Sequence, residues 1–303
     1  MHAALHLTHV ANSPTRSVSN IRTRTARLSN ISVAIPRSGI NCQAETSFLN
    51  EGGEIALSTV FALLNFDWQG DQKILQQKLP KKRVRAGQCL ITDTCTANAL
   101  YVIRTGVFKV VALDAQGMEQ VIGFPMMGDI IGLEAFADGH YRASAYALED
   151  CEVIVLSLTR LAAWAKQYQG IEQLMYRCMA QALVREQDHL WALGSQSAQA
   201  RVAQFLLNTA TRYGSAGYSS KTFVLRISRQ ELASFLGLTI ETVSRTLSAM
   251  QKLALIQVVG RQIDLCDITQ LRKLCRSSER VPLRAMTQGH KAGAGGVLLS
   301  RVA

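Results

Sequence analysis

Residues 236–252, LGLTIETVSRTLSAMQK, decide the fold, and they predict a turn followed by a helix. Gly237 lies at the turn, where a backbone with positive φ is often required, and Thr239 is a good N-cap. A period of 3.6 residues puts five apolar residues on one side of the helix: Ile240, Val243, Leu247, Met250 and Ala254. The opposite side receives Glu241, Ser244, Arg245, Ser248 and Lys252. The helix therefore presents short, hydrogen-bonding side chains together on its exposed face.

The flanking residues place this helix inside a larger motif. Before it, SRQELASFLG begins with Ser228, and Glu231 three residues later completes a capping-box pattern. After it, LIQVVGRQIDL predicts two short strands around Gly260 and Arg261. An amphipathic helix over 198–213 and a short strand over 223–227 come earlier. Helix, turn, helix and hairpin predict a winged helix-turn-helix.

The exposed face has two interpretations. Arg245 can bond the O6 and N7 of a guanine, Glu241 can accept from a cytosine amine, and Ser244 can contact a base edge or a phosphate. Alternatively, Glu241 stabilises the helix dipole and forms an ordinary i, i+4 surface pair with Arg245. The capped helix before it, the predicted wing after it and the basic surroundings favour base reading.

Charge is distributed unevenly along the 303 residues, whose net charge is +11. Residues 196–275 carry 10 basic and 4 acidic side chains, which gives +6, whereas residues 45–195 carry 13 and 17, which gives −4. The predicted helix-turn-helix thus lies in the basic segment, where a polyanion would bind. The chain has no apolar run long enough to span a membrane. We expect a soluble, cytoplasmic protein.

Five segments follow from these patterns. Residues 1–44 hold five Arg and no acid, which predicts a disordered basic extension, although a transit peptide or an early start codon would look similar. We expect a sensor domain over 45–160, a dimerisation helix region over 161–195, a winged helix-turn-helix over 196–275 and a disordered tail over 276–303. The predicted fold class is α+β.

The segment 81–158 has short apolar runs separated by glycines at close intervals, typical of an antiparallel β-sandwich or roll. YVIRTGVFKVV fits strand, turn and strand with Gly106 at a tight corner, and VVALDAQGMEQVI fits a second hairpin with Gly117 near its tip.

The stretch GIEQLMYRCMAQALVREQDHLWAL predicts one long helix. Its apolar stripe also contains the polar residues Glu186 and His189. The helix could pack on its own β-sandwich, or it could pair with the same helix of a second copy through a seam that tolerates a polar position. We favour the dimer helix. The candidate seam residues are Ile171, Met175, Cys178, Ala182, Glu186 and Leu193.

RQELASFLGLTIETVSRTLSAMQK resembles the DNA-reading unit of the Crp/Fnr transcription regulators, especially the Fnr branch, and the resemblance spans roughly residues 75–270. It implies a cyclic-nucleotide-binding-like jelly roll (a double-stranded β-helix), a homodimer and a palindromic DNA site, with activation the expected outcome. The E-x-x-S-R positions, here Glu241, Ser244 and Arg245, are those that read TTGAT half-sites in Fnr-like proteins. The candidate DNA-binding residues are Ser228, Arg229, Thr239, Glu241, Thr242, Ser244, Arg245, Lys252 and Arg261. The hairpin ALDAQGMEQ resembles a surface loop that can contact RNA polymerase in the family; the alternative is an ordinary solvated turn.

The signal that the roll senses is left open by the sequence. The candidate effector pocket comprises Gly132, Leu133, Glu134, Arg142, Ala143 and Ser144. Leu133 stands where the family's ribose-binding Glu would lie, and Glu134 is one place late, so we predict no cAMP binding. The roll could be empty, bind another effector, or sense gas through a haem. His140 is a candidate haem ligand, but we favour a surface histidine on the DGHY turn. Some Fnr relatives of the FixK type resemble this chain in lacking the iron–sulfur cluster of Fnr itself. These relatives act as constitutively competent regulators.

The seven cysteines are odd in number and scattered, which predicts reduced thiols rather than a disulfide framework. Cys42 stands alone before the roll, and Ile154 falls at the family's distal ligand position near Cys151, so we predict no iron–sulfur cluster and no metal site. The chain has no dinucleotide, zinc-protease, nucleophile-elbow or P-loop motif, which argues against an enzyme. The alternative to a DNA-binding regulator is a sensor whose main task is ligand binding or a thiol switch.

Overall fold

The computed structural model describes residues 53–93 and 95–276. The predictions for residues 1–44 and 277–303, including the environment of Cys42, lie outside the described residues. Along the chain the elements are β1 (Glu54–Ala56), α1 (Leu57–Leu63), a 3₁₀ turn (Gln72–Gln76), β2 (Lys78–Val84), β3 (Cys89–Ile91), β4 (Ala99–Thr105), β5 (Phe108–Leu113), β6 (Glu119–Gly123), β7 (Ile130–Ile131), α2 (Ala135–Asp138), β8 (Ser144–Ala147), β9 (Cys151–Ser157), α3 (Leu158–Gln167), α4 (Gln169–Ser195), α5 (Ala198–Ser215), β10 (Thr222–Val224), α6 (Arg229–Leu236), α7 (Ile240–Lys252), β11 (Ile256–Val259), β12 (Gln262–Leu265) and α8 (Ile268–Arg276).

The predicted α+β architecture is confirmed, with a β-roll followed by a helix-turn-helix. The roll consists of a five-stranded sheet in the order β1-β2-β9-β4-β7 and a four-stranded sheet in the order β3-β8-β5-β6, with every pairing antiparallel. Apolar side chains of the two sheets fill the interior, with Phe108, Ile103 and Tyr141 among the most buried. A three-stranded sheet, β10-β12-β11, forms the wing.

The two predicted hairpins have different outcomes. β5 and β6 pair around Gly117, whose φ is +77°, so the second hairpin is present. β4 and β5 do not pair with each other, because β4 lies in the five-stranded sheet and β5 in the four-stranded one. Gly106 (φ +88°) therefore makes a corner between the two sheets instead of a hairpin turn. A Cβ at this position would collide with the Cys151 sulfur, so the corner also requires a residue without a side chain.

The helix α4 buries its first half within its own chain. Ile171, Leu174, Met175 and Cys178 pack with α1, α3 and the five-stranded sheet in one apolar cluster. The assignment of Ile171, Met175 and Cys178 to a dimer seam is therefore wrong. The most continuous apolar stripe of α4 is the one that packs on the roll, because burying apolar surface against the roll stabilises the fold.

A different face of α4 is apolar and exposed. Tyr176, Leu183 and Leu190 are 60%, 59% and 66% exposed and recur every seven residues, and Glu186 and Leu193 stand at the intervening heptad positions. Val184, beside Leu183, is 54% exposed. The seven-residue spacing was visible in the sequence, but the more continuous stripe obscured it.

The roll and the helix-turn-helix share a core. Val111, Val121 and Phe124 of the roll belong to the same apolar cluster as the buried residues of α5, α6 and α7. Polar contacts reinforce this joint, because the Val121 N–H donates to the Ser234 hydroxyl at 2.9 Å and the Gln120 amide donates to the Ser234 carbonyl at 2.6 Å. The edge strand β6 is therefore covered by α6.

The prediction that the cysteines are reduced thiols is wrong at one described position. Cys89, Cys151, Cys178, Cys266 and Cys275 are free, whereas Cys95 is disulfide-bonded. The spacing of cysteines along the chain does not indicate which thiols the fold brings together, so this bond could not be predicted from the sequence. Burial raises the pKa of Cys151 to about 11, so that thiol stays protonated near neutral pH. Cys266 is the exposed one among the described free thiols.

Candidate nucleic-acid interface

Local hydrogen bonds define the turn between α6 and α7. The Ser228 hydroxyl accepts from the Glu231 N–H at 3.1 Å and the Glu231 carboxylate accepts from the Ser228 N–H at 2.8 Å, which completes the predicted capping box. Gly237 ends α6 with φ +59°, and the Thr239 hydroxyl accepts from the Thr242 N–H at 3.2 Å to begin α7. Arg201 donates to the Leu236 carbonyl at 2.6 Å and so satisfies the C-terminus of α6.

The buried side of α7 is shorter than the sequence predicts. Val243, Leu247 and Met250 are buried as expected. Ile240 is 43% exposed because it is the first helical residue and lies beyond the core. Ala254 is also exposed and adopts φ +52° after the helix has ended. Ile240 therefore belongs to the exposed N-terminal end of α7, beside the side chains predicted to read bases.

The alternative surface pair between Glu241 and Arg245 is not formed among the described residues. The Arg245 guanidinium has one long contact, 3.5 Å to the Thr242 hydroxyl. Hydrogen bonds from its own backbone N–H and from the Thr239 hydroxyl, with a smaller effect of the Arg245 charge, lower the pKa of Glu241. Glu241 therefore stays ionised as an acceptor, and Arg245 keeps its donors available.

A second group of predicted residues meets between α6 and the wing. Ser228, Arg229 and Arg261 line a cavity of about 180 Å³ together with Gly260 of the β11–β12 turn. One terminal nitrogen of Arg229 is buried without a hydrogen-bond partner among the described residues, and burial lowers the pKa of this side chain. The two guanidinium groups of Arg229 and Arg261 give this cavity the chemistry that binds phosphate.

The predicted DNA-binding residues thus form two groups and one outlier. Thr239, Glu241, Thr242, Ser244 and Arg245 lie in the first two turns of α7, and Glu241, Ser244 and Arg245 are exposed. Lys252 ends the helix about 16 Å further along its axis, at 1.5 Å per residue from Glu241, so it cannot contact the same base pairs.

The candidate effector residues do not converge in the roll. Arg142 is 65% exposed and pairs with Asp138 on the surface, so the structure does not place it inside. The Ser144 hydroxyl contacts Asp93, and Leu133 packs on the apolar cluster around α1 and α4. Tyr141 takes the interior position instead, with its hydroxyl donating to the Ala99 carbonyl at 2.8 Å. A Cβ on Gly132 would lie 3.0 Å from the Tyr141 ring.

Two further observations concern the described part of the chain. Within residues 53–93 and 95–276, no three His, Cys, Asp or Glu side chains come together as a metal site. His140 lies on the surface, with its ring beside the Asp138 carbonyl. No helix in this part is long and apolar enough to cross a membrane.

A capped helix-turn-helix with a wing, joined through a long helix to a cyclic-nucleotide-binding-like roll, defines a DNA-binding transcription regulator. Residues 200–274 match the Crp-like helix-turn-helix domain, and residues 81–168 match the cyclic nucleotide-binding domain. The chain belongs to the Crp/Fnr family.

Named relatives support this assignment over most of their length. The chain is 37% identical over 199 residues to the transcriptional regulatory protein btr of Bordetella pertussis, covering 65% of this chain and 82% of that protein. It is 32% identical over 201 residues to the fumarate and nitrate reduction regulatory protein of Escherichia coli K12, covering 66% and 80%. The solved structure of FixK2 from Bradyrhizobium japonicum matches with a TM-score of 0.61 and 28% identity, covering 67% of this chain and 98% of that one.

Proposed function

We propose that this regulator binds, as a homodimer, a palindrome of TTGAT half-sites, in which Glu241, Ser244 and Arg245 contact base edges. The observation that carries the proposal is that Glu241 and Arg245 form no ion pair with the described residues at the exposed start of α7. A carboxylate facing DNA is repelled by phosphates unless it accepts from a base amine, so an ionised Glu241 favours direct reading. Ile240, exposed beside it, can contact a thymine methyl group.

Phosphate binding is assigned to the other predicted residues. Ser228, Arg229 and Arg261 share one cavity at the wing, and Thr239 and Thr242 offer hydroxyls at the start of α7. Lys252 would contact the backbone further along the site. These contacts position the protein without specifying sequence.

The decisive experiment compares two duplexes at one salt concentration. The purified protein is titrated with a labelled TTGAT palindrome, and a palindrome with altered half-sites competes. We expect the altered duplex to compete roughly a thousandfold less well or worse, the lower end of the usual ratio of specific to non-specific binding. Equal competition by the two duplexes would refute base reading.

The dimer is proposed to form through Tyr176, Leu183 and Leu190 of α4, in place of the seam expected from the sequence. Three large apolar side chains, each at least 59% exposed at heptad spacing, form a stripe that a second copy would bury. We expect Leu183→Glu to yield monomers in analytical ultracentrifugation and to lose preference for the palindrome. Gln181→Glu adds the same charge on the opposite face of α4 and is the matched control. A dimeric Leu183→Glu variant would contradict this seam.

We also propose that neither cAMP nor an iron–sulfur cluster operates the roll. Support for the first part comes from the outward pairing of Arg142 and from Tyr141 in the roll interior. Calorimetry with cAMP and an absorption spectrum of protein purified without oxygen would test both parts. Saturable cAMP binding, or a cluster absorption band, would overturn the corresponding part.

Action as an activator is proposed to involve RNA polymerase and the β5–β6 hairpin, inside the bacterial cytoplasm where the DNA lies. Leu113 and Met118 are exposed there, and the Asp114 carboxylate accepts from the N–H groups of Gln116 and Met118, which fixes the tip. Transcription in vitro with an Ala115→Asp variant that still binds DNA would test this contact. Full activation by that variant would contradict it.

A further inference from the structure

A cavity of about 560 Å³ lies where the long helix, the following helix and the helix-turn-helix meet the roll. Its walls come from α4, α5 and α6 and from Phe124, which follows β6. The candidate effector residues lie elsewhere and do not line it. Its volume is within the range of small-molecule sites.

The walls are largely aromatic. Phe124 lies 5.2 Å from Phe235 and 6.1 Å from Phe205 between ring centroids, and the three rings meet at steep angles. His189 of α4 stacks on Phe235 at 4.1 Å with the ring planes 8° apart. Planar walls of this kind favour a planar, mostly apolar ligand.

The charged groups of the lining are predominantly cationic. Three arginines line the cavity, Arg185, Arg201 and Arg212, and Asp188 is the acid among the lining residues. The net charge of these four side chains is +2. Arg212 is paired with Asp129, whereas Arg185 reaches that carboxylate only at 3.9 Å and remains 51% exposed. Arg185 is therefore the cation best placed to bind an anionic group.

Two buried polar atoms of lining residues have no hydrogen-bond partner in the described part of the chain. They are the Oε1 of Gln196, whose residue is 8% exposed, and the Nε of Arg201. Leaving such atoms unsatisfied is costly, and a ligand that offers hydrogen bonds removes that cost.

The cavity and the face of α4 assigned to the dimer share Leu193, which stands at an intervening heptad position, but most of the cavity's α4 residues lie on another side of the helix. Ala192 and Arg185 line it, and the helical period puts both on the side opposite Leu183 and Leu190. A second copy packed through Tyr176, Leu183 and Leu190 would therefore leave uncovered the side of α4 that carries Arg185 and Ala192.

We propose that this cavity binds a planar, mostly apolar molecule that carries one carboxylate, with Arg185 as its cationic partner. The aromatic walls hold the flat body, and the excess of arginines selects the anion. This site goes beyond the proposed DNA reading and does not depend on it, because its occupancy is measured without DNA.

The test uses 2-naphthoate as the probe and the full-length protein. Calorimetry should show saturable binding, and Trp191, which lines the cavity, should change its fluorescence. Arg185→Gln should weaken binding about tenfold or more, since a hydrogen bond to a charged group contributes more than the ~1.4 kcal/mol that corresponds to tenfold. Arg177→Gln, on the same helix but lining a neighbouring cavity, should bind like the wild type.

Two further measurements check shape and charge. Ala192→Phe adds an aromatic ring to the cavity wall and should obstruct binding, and its circular dichroism spectrum should match the wild type. The neutral 2-naphthylmethanol should bind about tenfold more weakly than 2-naphthoate, because it lacks the charge that Arg185 binds. Absence of saturable binding, or equal losses for Arg185→Gln and Arg177→Gln, would overturn the proposal.

Discussion

Replacing Arg245 with alanine separates base reading from folding. The side chain is exposed, makes one 3.5 Å contact with Thr242 and has no ion pair with Glu241. Surface substitutions of this kind change the free energy of unfolding by about 0.5 kcal/mol or less. We therefore expect Arg245→Ala to keep the wild-type midpoint in urea.

The effect on DNA should be much larger. One bidentate contact between arginine and guanine contributes about 1–3 kcal/mol of discrimination, so two half-sites contribute about 2–6 kcal/mol. At about 1.4 kcal/mol per factor of ten, Arg245→Ala should lower the preference for the TTGAT palindrome by about 30-fold to 20,000-fold. Fluorescence anisotropy competition against a duplex with altered half-sites measures this ratio.

The salt dependence identifies the kind of contact. If Arg245 reads a base, the slope of log K against log salt should stay that of the wild type. If it binds a phosphate instead, the slope should fall by about 0.9 for each contact, and discrimination should be preserved. Arg272→Ala, which removes an exposed arginine of α8, is the matched control and should retain discrimination. Retained discrimination in Arg245→Ala would refute the reasoning.

Three other outcomes follow from the same contacts. Leu247→Ala should lower the free energy of unfolding by about 3–5 kcal/mol in urea titrations, because Leu247 is 3% exposed in the core; a loss below about 1 kcal/mol would contradict that packing. At about pH 8, iodoacetamide should modify exposed Cys266 well before Cys151, whose pKa burial raises to about 11; mass spectrometry showing the reverse order would contradict this. Burial alone would raise the pKa of Glu231, but hydrogen bonds from Ser228 and the Lys109 charge lower this pKa overall. The ionised Glu231 therefore stabilises the fold above its unfolded pKa of about 4.3, and this stabilisation is lost as pH falls through the lower folded pKa. Glu231→Gln should therefore reduce the loss of stability between pH 5 and 3, roughly, in thermal melts, and an unchanged acid profile would exclude this linkage.

The helix-turn-helix could be predicted from the sequence because its signals are local. Ser228 and Glu231 are three residues apart, Gly237 supplies the left-handed backbone, and Thr239 caps α7. Each signal depends on neighbours within one helical turn. The exposed face of α7 followed from the same period, and only the end residues Ile240 and Ala254 were misplaced, because a helical period does not indicate where the core ends.

The errors concern contacts that join distant segments. Gly106 lies between β4 and β5, and the local sequence fits either a hairpin turn or a corner between two sheets. The outcome depends on β9, which pairs with β4, and on β8, which pairs with β5, and both come much later in the chain. The face of α4 that packs on the roll depends on α1, which comes long before it. A periodic stripe indicates that a helix buries a face, but not whether its own chain or a second copy covers it.

The contact between β6 and α6 has a consequence for DNA recognition. Glu231 caps α6 and also pairs with Lys109 of β5 at 3.3 Å, while Ser234 of the same helix bonds the edge of β6. Since α6 packs directly on α7, the roll fixes the direction of the helix proposed to read bases. In a dimer, the separation of two half-sites then depends on this joint as well as on α4, because a rotation at either one moves both recognition helices relative to the groove. Weakening the joint should therefore relax the requirement for one fixed half-site spacing without changing which bases each half-site prefers.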